Sequence, residues 1–212
     1  MRIDAIIPAH NESPTIGRVV AALQASRSVR RVIVVDDGSH DPTTTIAKNA
    51  GATVLRAAKN QGKGQAMLAG LRYSDAEFVG FFDADLLTLR ADHVTKLVTT
   101  ARDHGLEMCC GLRDYGLWNP LQLMGPIITG ERVCSRELLE LIAEKHWSGY
   151  AIETAMNFAA RRAGKRVGCI LLDNLQIRNK TAKTGFFKGM MGHWKMAREI
   201  KKTERELEAH GG

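Results

Sequence analysis

Short apolar, β-rich runs alternate with stretches of helical spacing through the first half of this chain, and that alternation limits the possible folds more than any other feature. The runs are "RIDAIIP", "RRVIVVDDG", "GATVLRA", "EFVGFFDAD" and "LEMCCGLRD", separated by "SPTIGRVVAALQAS", "DPTTTIAKNA", "KGQAMLAGLRYS" and "RADHVTKLVTTARDH". Apolar residues three and four apart mark helices, whereas continuous apolar runs bounded by turn residues mark buried strands. Strands alternating with helices build an α/β fold, a mostly parallel, Rossmann-like sheet flanked by helices on both faces. Such sheets hold ligands beyond the carboxyl ends of their strands, where the strand order reverses.

The polar motifs fall at those ends. "PAHNE" follows the first strand, "DDGSHD" the second and "DAD" the fourth, so three clusters converge on one rim. Some of their members have ordinary structural duties. Ser13 and Asp41 read as helix N-caps, Ser39 as part of a turn, Gly38 as the residue that permits it, and Asn11 as a binder of loop backbone. The acidic pairs are not explained that way.

After "GLRDYG" the rhythm changes. "LWNPLQLMGPIITGERV" reads as loop, "SRELLELIAEKH" and "YAIETAMNFAARRAG" as helices, and "KRVGCILLD" and "LQIRN" as short strands, ahead of a basic tail. A length of 212 residues suits one domain. Within it, residues 1–115 form the first half, 116–180 a second wall to a cleft, and 181–212 a basic C-terminal helix. The four cysteines, Cys109, Cys110, Cys134 and Cys169, have no paired metal spacing and read as reduced thiols, as in the cytoplasm. "MRIDAIIPAHNE" is too short in its apolar run for a signal peptide, and no segment approaches the roughly 20 apolar residues of a membrane span, so a soluble or peripheral chain is expected. A net charge of +7 favours an anionic partner.

Asp83 and Asp85 interrupt an apolar run, where unpaired carboxylates are costly. Two aspartates separated by one residue face the same side of an extended backbone, and a hard divalent cation, Mg2+ or Mn2+, would resolve their repulsion. Such an ion takes one or two carboxylates and completes its shell with water and phosphate oxygens. Arg113, after the fifth strand, and Arg178, Lys180 and Lys183, after the last, approach the same rim from the other side. Singly each reads as a surface cation; as a set they suit a metal-bound diphosphate. "NQGKGQAM" places glycines around Lys63 at a helix start, where backbone N–H groups attract anions. It lacks the ending of a nucleotide-triphosphatase loop, and no "GxGxxG" follows the first strand, which counts against ATPase and dehydrogenase chemistry.

In order and spacing, "IIPAHNE", "VVDDGSHD", "NQGKGQAM" and "FFDADL" resemble the family 2 glycosyltransferases of the nucleotide-sugar (GT-A) fold. The resemblance implies a nucleotide-diphosphate sugar donor, a UDP- or GDP-sugar, with Pro8, Ala9, Glu12, Val35, Asp37 and Ala84 around the nucleoside; the anion site read at Lys63 then falls to the same nucleotide. It implies Asp85 as principal metal ligand, with Asp83 sharing the metal or the nucleotide. "GLRDYG", "ITGERVCSRELLE" and "IRNKTAK" are most similar to the polyprenyl-phosphate (dolichyl-phosphate) mannosyl- and glucosyltransferase branch, where residues matching Arg113, Arg178, Lys180 and Lys183 contact phosphates, and Arg132 falls near another such arginine. That branch often carries a glutamine as metal ligand where this chain has Leu87; His193 is either a substitute ligand or a surface helix histidine.

Sugar transfer expels the nucleotide diphosphate as an anion while an acceptor oxygen attacks the sugar carbon. A lipid phosphate is already ionised. A hydroxyl acceptor such as phosphoglycerate needs a base, for which Glu131 and Glu153 are candidates, Glu153 having an exposed helix face as its alternative reading. In "GFFKGMMGHWKMAREIKK", aromatic and apolar residues lie near lysines and arginines, which suits a helix on an anionic membrane, a helix docked on the core, or a dimer contact. Two other classes fit less well. A sugar-nucleotide nucleotidyltransferase would want a glycine-rich, arginine-bearing loop after the first strand, and a nucleic-acid-binding module would leave Asp83 and Asp85 without a role.

Overall fold

The computed structural model describes residues 1–113, 129–147 and 151–178. Seven strands form one sheet in the order β3-β2-β1-β4-β6-β5-β7. They are β1 (Ile3–Ala9), β2 (Val29–Asp36), β3 (Thr53–Arg56), β4 (Phe78–Phe81), β5 (Met108–Arg113), β6 (Arg132–Ser135) and β7 (Val167–Leu172). The helices are α1 (Ile16–Gln24), α2 (Thr43–Asn49), α3 (Lys63–Tyr73), α4 (Ala91–Asp103), the short α5 (Arg136–Glu140) and α6 (Ala151–Arg162).

Pairing is parallel except at β6, which runs antiparallel to both β4 and β5. The sheet is therefore mixed where β6 enters it and mostly parallel elsewhere, with helices on both faces as expected. Strand β1 shows why: Ile3, Ala5 and Ile7 enter one apolar cluster with α1 and α4, and Ile6 enters another with Met67 and Leu71 of α3. Successive side chains point to opposite faces, and burying each large one is worth about 1.5–3 kcal/mol. Cys109 and Cys110 divide between the same two clusters, and all four cysteines are free thiols.

Several local expectations change. "ERVCS" supplies β6 rather than the end of a loop, and "LQIRN" supplies a single bridge, Leu86 with Ile177, rather than a strand. "SRELLELIAEKH" breaks after Glu140 and resumes as a 3-10 turn at Glu144–His146. Ser13 does not cap α1, which opens at Ile16; its N–H donates to Asp41 Oδ2 at 3.1 Å. Asp41 also accepts the N–H of Thr43, the first residue of α2, at 3.0 Å, so it ties the two loops together. Burial would raise the Asp41 carboxyl, but these bonds and the Thr43 hydroxyl outweigh it and bring it to about 2. Asn11, at φ 56°, accepts the His40 N–H at 2.8 Å through its side chain, as a loop binder should. Gly38, at φ 72°, forms the turn after β2; a Cβ there would lie 2.8 Å from the backbone of Lys59.

At the amino-terminal end of the sheet, fully buried Asp4 accepts from Arg30 Nε and Nη2 at 2.9 Å each, from Arg31 Nη2 at 2.7 Å and from Ser74 Oγ at 2.7 Å. Among the described residues, no helix is long and apolar enough to cross a membrane.

Candidate functional site

The carboxyl ends of β1, β2 and β4 open into a cavity of about 350 Å³. Its walls include Pro8, Ala9, His10 and Glu12 after β1, Asp37 after β2, Asn60, Gly62, Lys63 and Ala66 at the start of α3, and Asp83, Ala84 and Asp85 after β4. The three sequence clusters thus meet where the strand order reverses at β1, whose neighbours are β2 and β4.

Strand β4 ends at Phe81, so Asp83 and Asp85 occupy the turn beyond it rather than extended strand, yet both face the cavity. The turn is held from outside by the bridge: Arg178 N–H donates to the Asp85 carbonyl, and Leu87 N–H to the Gln176 carbonyl, each at 2.8 Å. Lys63 Nζ lies 2.8 Å from Asp83 Oδ1 and 2.8 Å from Glu153 Oε1 on α6. Burial would lower the Lys63 ammonium, but the two carboxylates more than offset it and hold its pKa above the ordinary lysine value. Glu153 is 2% exposed, which rules out the exposed-face reading, and its Oε2 is buried without a hydrogen-bond partner among the described residues.

Asp37 accepts the N–H groups of Gln61 and Gly62 at 2.8 and 2.7 Å. The backbone donors expected to hold a ligand anion at that helix start thus hold the protein's own carboxylate, and Lys63 presents its side chain to the cleft instead. Glu12 lines the cavity and accepts from Arg178 Nη2 at 2.8 Å, which brings Arg178 to the rim as expected.

Glu131 stands just before β6 and is wholly buried. Burial, and then the charge of Asp83, push its carboxyl upward, while Arg113 Nη2 at 3.5 Å from Oε1 opposes this. Thr129 Oγ1 lies 2.7 Å from the Gly111 carbonyl and 2.8 Å from Glu131 Oε2. The Thr129 hydroxyl has one proton to offer these two acceptors, and what it gives Glu131 favours the anion less strongly than burial and Asp83 oppose it. The surroundings thus suit Glu131 to an acid better than to a base. Beside it, Gly130 allows a close approach: a Cβ there would lie 2.2 Å from Asp83 Oδ2.

Other expected residues lie elsewhere. Val35 packs into the core with Ile6 and Met67 and does not line the cavity. Arg132 is buried under the sheet, with Nη2 donating to the Thr129 carbonyl at 2.7 Å and Nη1 near the sulfurs of Met108 and Met156, a placement that does not suit a phosphate ligand. Lys180, Lys183 and His193, with the basic tail, fall outside the described residues. His10, Asn60, Gly62 and Ala66 line the cavity without having been singled out, although the motifs "PAHNE" and "NQGKGQAM" contain them.

Asp83 and Asp85 fit a Mg2+ or Mn2+ ion, because two carboxylates border a space with room for water and phosphate oxygens. Among the described residues, no group of three or more His, Cys, Asp or Glu is arranged to hold a metal alone.

The profile of the family described as "Glycosyl transferase family 2" matches residues 4–158. A curated relative, the 4,4'-diaponeurosporenoate glycosyltransferase of Staphylococcus aureus (strain USA300), is 32% identical over 115 residues, covering 52% of this chain and 31% of that protein. The chain thus spans about a third of the length of the curated relatives it matches. Among solved structures, one described as a mycobacterial protein superposes with a TM-score of 0.78 at 25% identity, over 97% of this chain and 74% of that one. Glucosyl-3-phosphoglycerate synthase from Mycobacterium tuberculosis, in complex with Mn2+, uridine diphosphate and phosphoglyceric acid, gives a TM-score of 0.79 at 24% identity, over 97% of this chain and 78% of that one. The same synthase is known with Mg2+ and uridine diphosphate.

Proposed function

This chain belongs to the family 2 glycosyltransferases, and from that premise we propose that its cleft binds a nucleotide-diphosphate sugar and transfers the hexose to an anionic acceptor. One observation carries the reading: Glu12, Asp37, Lys63, Asp83 and Asp85, drawn from separate motifs, border one cavity. Pro8, Ala9, Glu12, Asp37 and Ala84 would surround the nucleoside, and Lys63 would meet the diphosphate. Asp83 and Asp85 would hold the Mg2+ or Mn2+ ion, which when bound supplies positive charge to the departing diphosphate. The neighbours solved with uridine diphosphate favour a UDP-sugar over a GDP-sugar.

In the transfer, an acceptor oxygen bonds to the anomeric carbon as the bond from that carbon to the diphosphate breaks, and the nucleoside diphosphate leaves with the electron pair. Lys63 offers the leaving anion an ammonium already present on the cleft wall. For a hydroxyl acceptor, Glu153 is the better candidate to take the proton, because burial and the nearby charge of Asp83 favour the protonated form of Glu131. For a polyprenyl phosphate no base is needed. The neighbour that carries phosphoglyceric acid favours a small phosphorylated hydroxyl compound.

Incubation with labelled UDP-glucose, Mn2+ and either phosphoglycerate or a polyprenyl phosphate tests both levels of the reading. Label appearing in a water-soluble phosphorylated product is expected. Label in an organic-extractable product would return the acceptor to the lipid branch. No binding of either UDP or GDP with Mn2+ would overturn the donor site itself.

A further inference from the structure

We propose that Lys63 is a built-in counter-cation that makes the divalent metal site conditional on the donor diphosphate. The inference rests on the glycosyltransferase reading and concerns how its cleft is loaded. The Lys63 ammonium lies 2.8 Å from Asp83 and 2.8 Å from Glu153, and so already neutralises a carboxylate that the metal would use. A cation taken up at Asp83 would share that carboxylate with a positive charge held in place by a second, buried acid. Like charges at such range oppose one another strongly in a partly enclosed site. Lys63 is 26% exposed and opens α3 on the cavity wall, so its flexible stem can swing toward an anion entering there.

A nucleoside diphosphate changes the balance in two ways. Its oxygens give the ammonium another partner, which lifts that positive charge from Asp83, and they supply ligands that complete the metal's shell. The metal and the nucleotide thus bind weakly apart and tightly together. The same displacement uncovers Glu153: its Oε1 loses the ammonium, and its Oε2 has no hydrogen bond among the described residues to begin with. The acid proposed as base is therefore neutralised until a donor is present, which protects the cleft from idle metal and couples α3 to α6 through one side chain.

The test is Mn2+ binding to the full chain, followed by the electron paramagnetic resonance signal of the free ion, with and without UDP. Wild type is expected to bind Mn2+ weakly alone, with UDP strengthening binding at least about tenfold, and Lys63→Met to bind Mn2+ alone roughly tenfold tighter while the gain from UDP shrinks by a similar factor. Lys63→Arg should behave as wild type. Because Lys63→Met strands the buried Glu153 charge, the pair Glu153→Gln and Lys63→Met/Glu153→Gln provides a charge-balanced comparison in which the same tightening is expected. Unchanged or weaker binding of Mn2+ alone in both methionine variants would overturn the proposal. Failure of wild type to bind UDP with Mn2+ at all would instead count against the donor reading.

Discussion

The two ends of the sheet each carry a buried acid tied to a basic partner, and they are built on opposite terms. At the amino-terminal end both oxygens of Asp4 accept hydrogen bonds from Arg30, Arg31 and Ser74, and the atom left over is a donor, Arg31 Nε, buried without a partner among the described residues. At the carboxyl-terminal end one ammonium serves two acids, Glu153 keeps an unused oxygen, and the group borders a space of about 350 Å³. An acid with both oxygens bonded stabilises the fold; one with an oxygen to spare beside a cavity is equipped to exchange its partner. Structure and chemistry thus use the same residue types at opposite ends of the same strands.

The sharpest way to break this contrast is to remove Asp4. Leaving Arg30 and Arg31 with only the exposed Asp75 as acidic partner should cost about 2–3 kcal/mol. Denaturant unfolding of Asp4→Ala would show it, with UDP affinity of the folded fraction unchanged. A loss of affinity there would erase the distinction between the ends. At the other end, Asp85→Ala should reduce Mn2+-dependent UDP binding by about a hundredfold, while the melting temperature shifts by no more than a few degrees. Calorimetric titration beside a thermal melt separates the two outcomes.

Acid should discriminate next. Burial would raise the Asp4 carboxyl, but its arginine and serine bonds bring it from 3.8 to about 2 in the folded protein. A depressed carboxylate contributes stability above its unfolded value and loses it as the pH falls from 3.8 toward about 2. With the arginines partly open to solvent, that contribution is about 1–2 kcal/mol. Asp4→Asn should flatten the acid limb of a stability profile accordingly. The smallest effect is expected at Glu131. Its carboxyl is pushed above the ordinary 4.5, so ionising it costs stability as the pH rises past that value. Glu131→Gln should therefore lie within about 1 kcal/mol of wild type, and its relative stability should improve with increasing pH. A steep loss of stability in that variant at neutral pH would mean that Glu131 is needed as an anion.

The sheet and the acidic end of β4 were legible in the sequence because long apolar runs and turn residues report local structure directly. Strand β6 was not. It has four residues and begins with a buried arginine, and only its neighbours β4 and β5 make it a strand. The cleft was legible as a meeting of motifs, since "PAHNE", "DDGSHD" and "DAD" all fall at carboxyl ends. The pairing of Lys63 with Glu153 was not, because 90 positions separate them and helical spacing alone suggested an exposed acid. Arg132 and Val35 show the reverse error: a motif position transferred readily, but the direction of the side chain depends on packing that the motif does not encode.

The antiparallel entry of β6 has a consequence for how the molecule assembles. Strand β5 pairs only with β6 and β7, and both follow it in the chain. When residues up to Arg113 have been made, β3, β2, β1 and β4 can zip into a parallel sheet, while β5 waits with both edges bare. Before it is enclosed, β6 must insert between β4 and β5, and β7 must return after α6, and such distant pairings form late. The rim of the cleft at Gly130 and Glu131 is thus set by the last strands to arrive, so that ligand competence becomes a report that the whole sheet has closed.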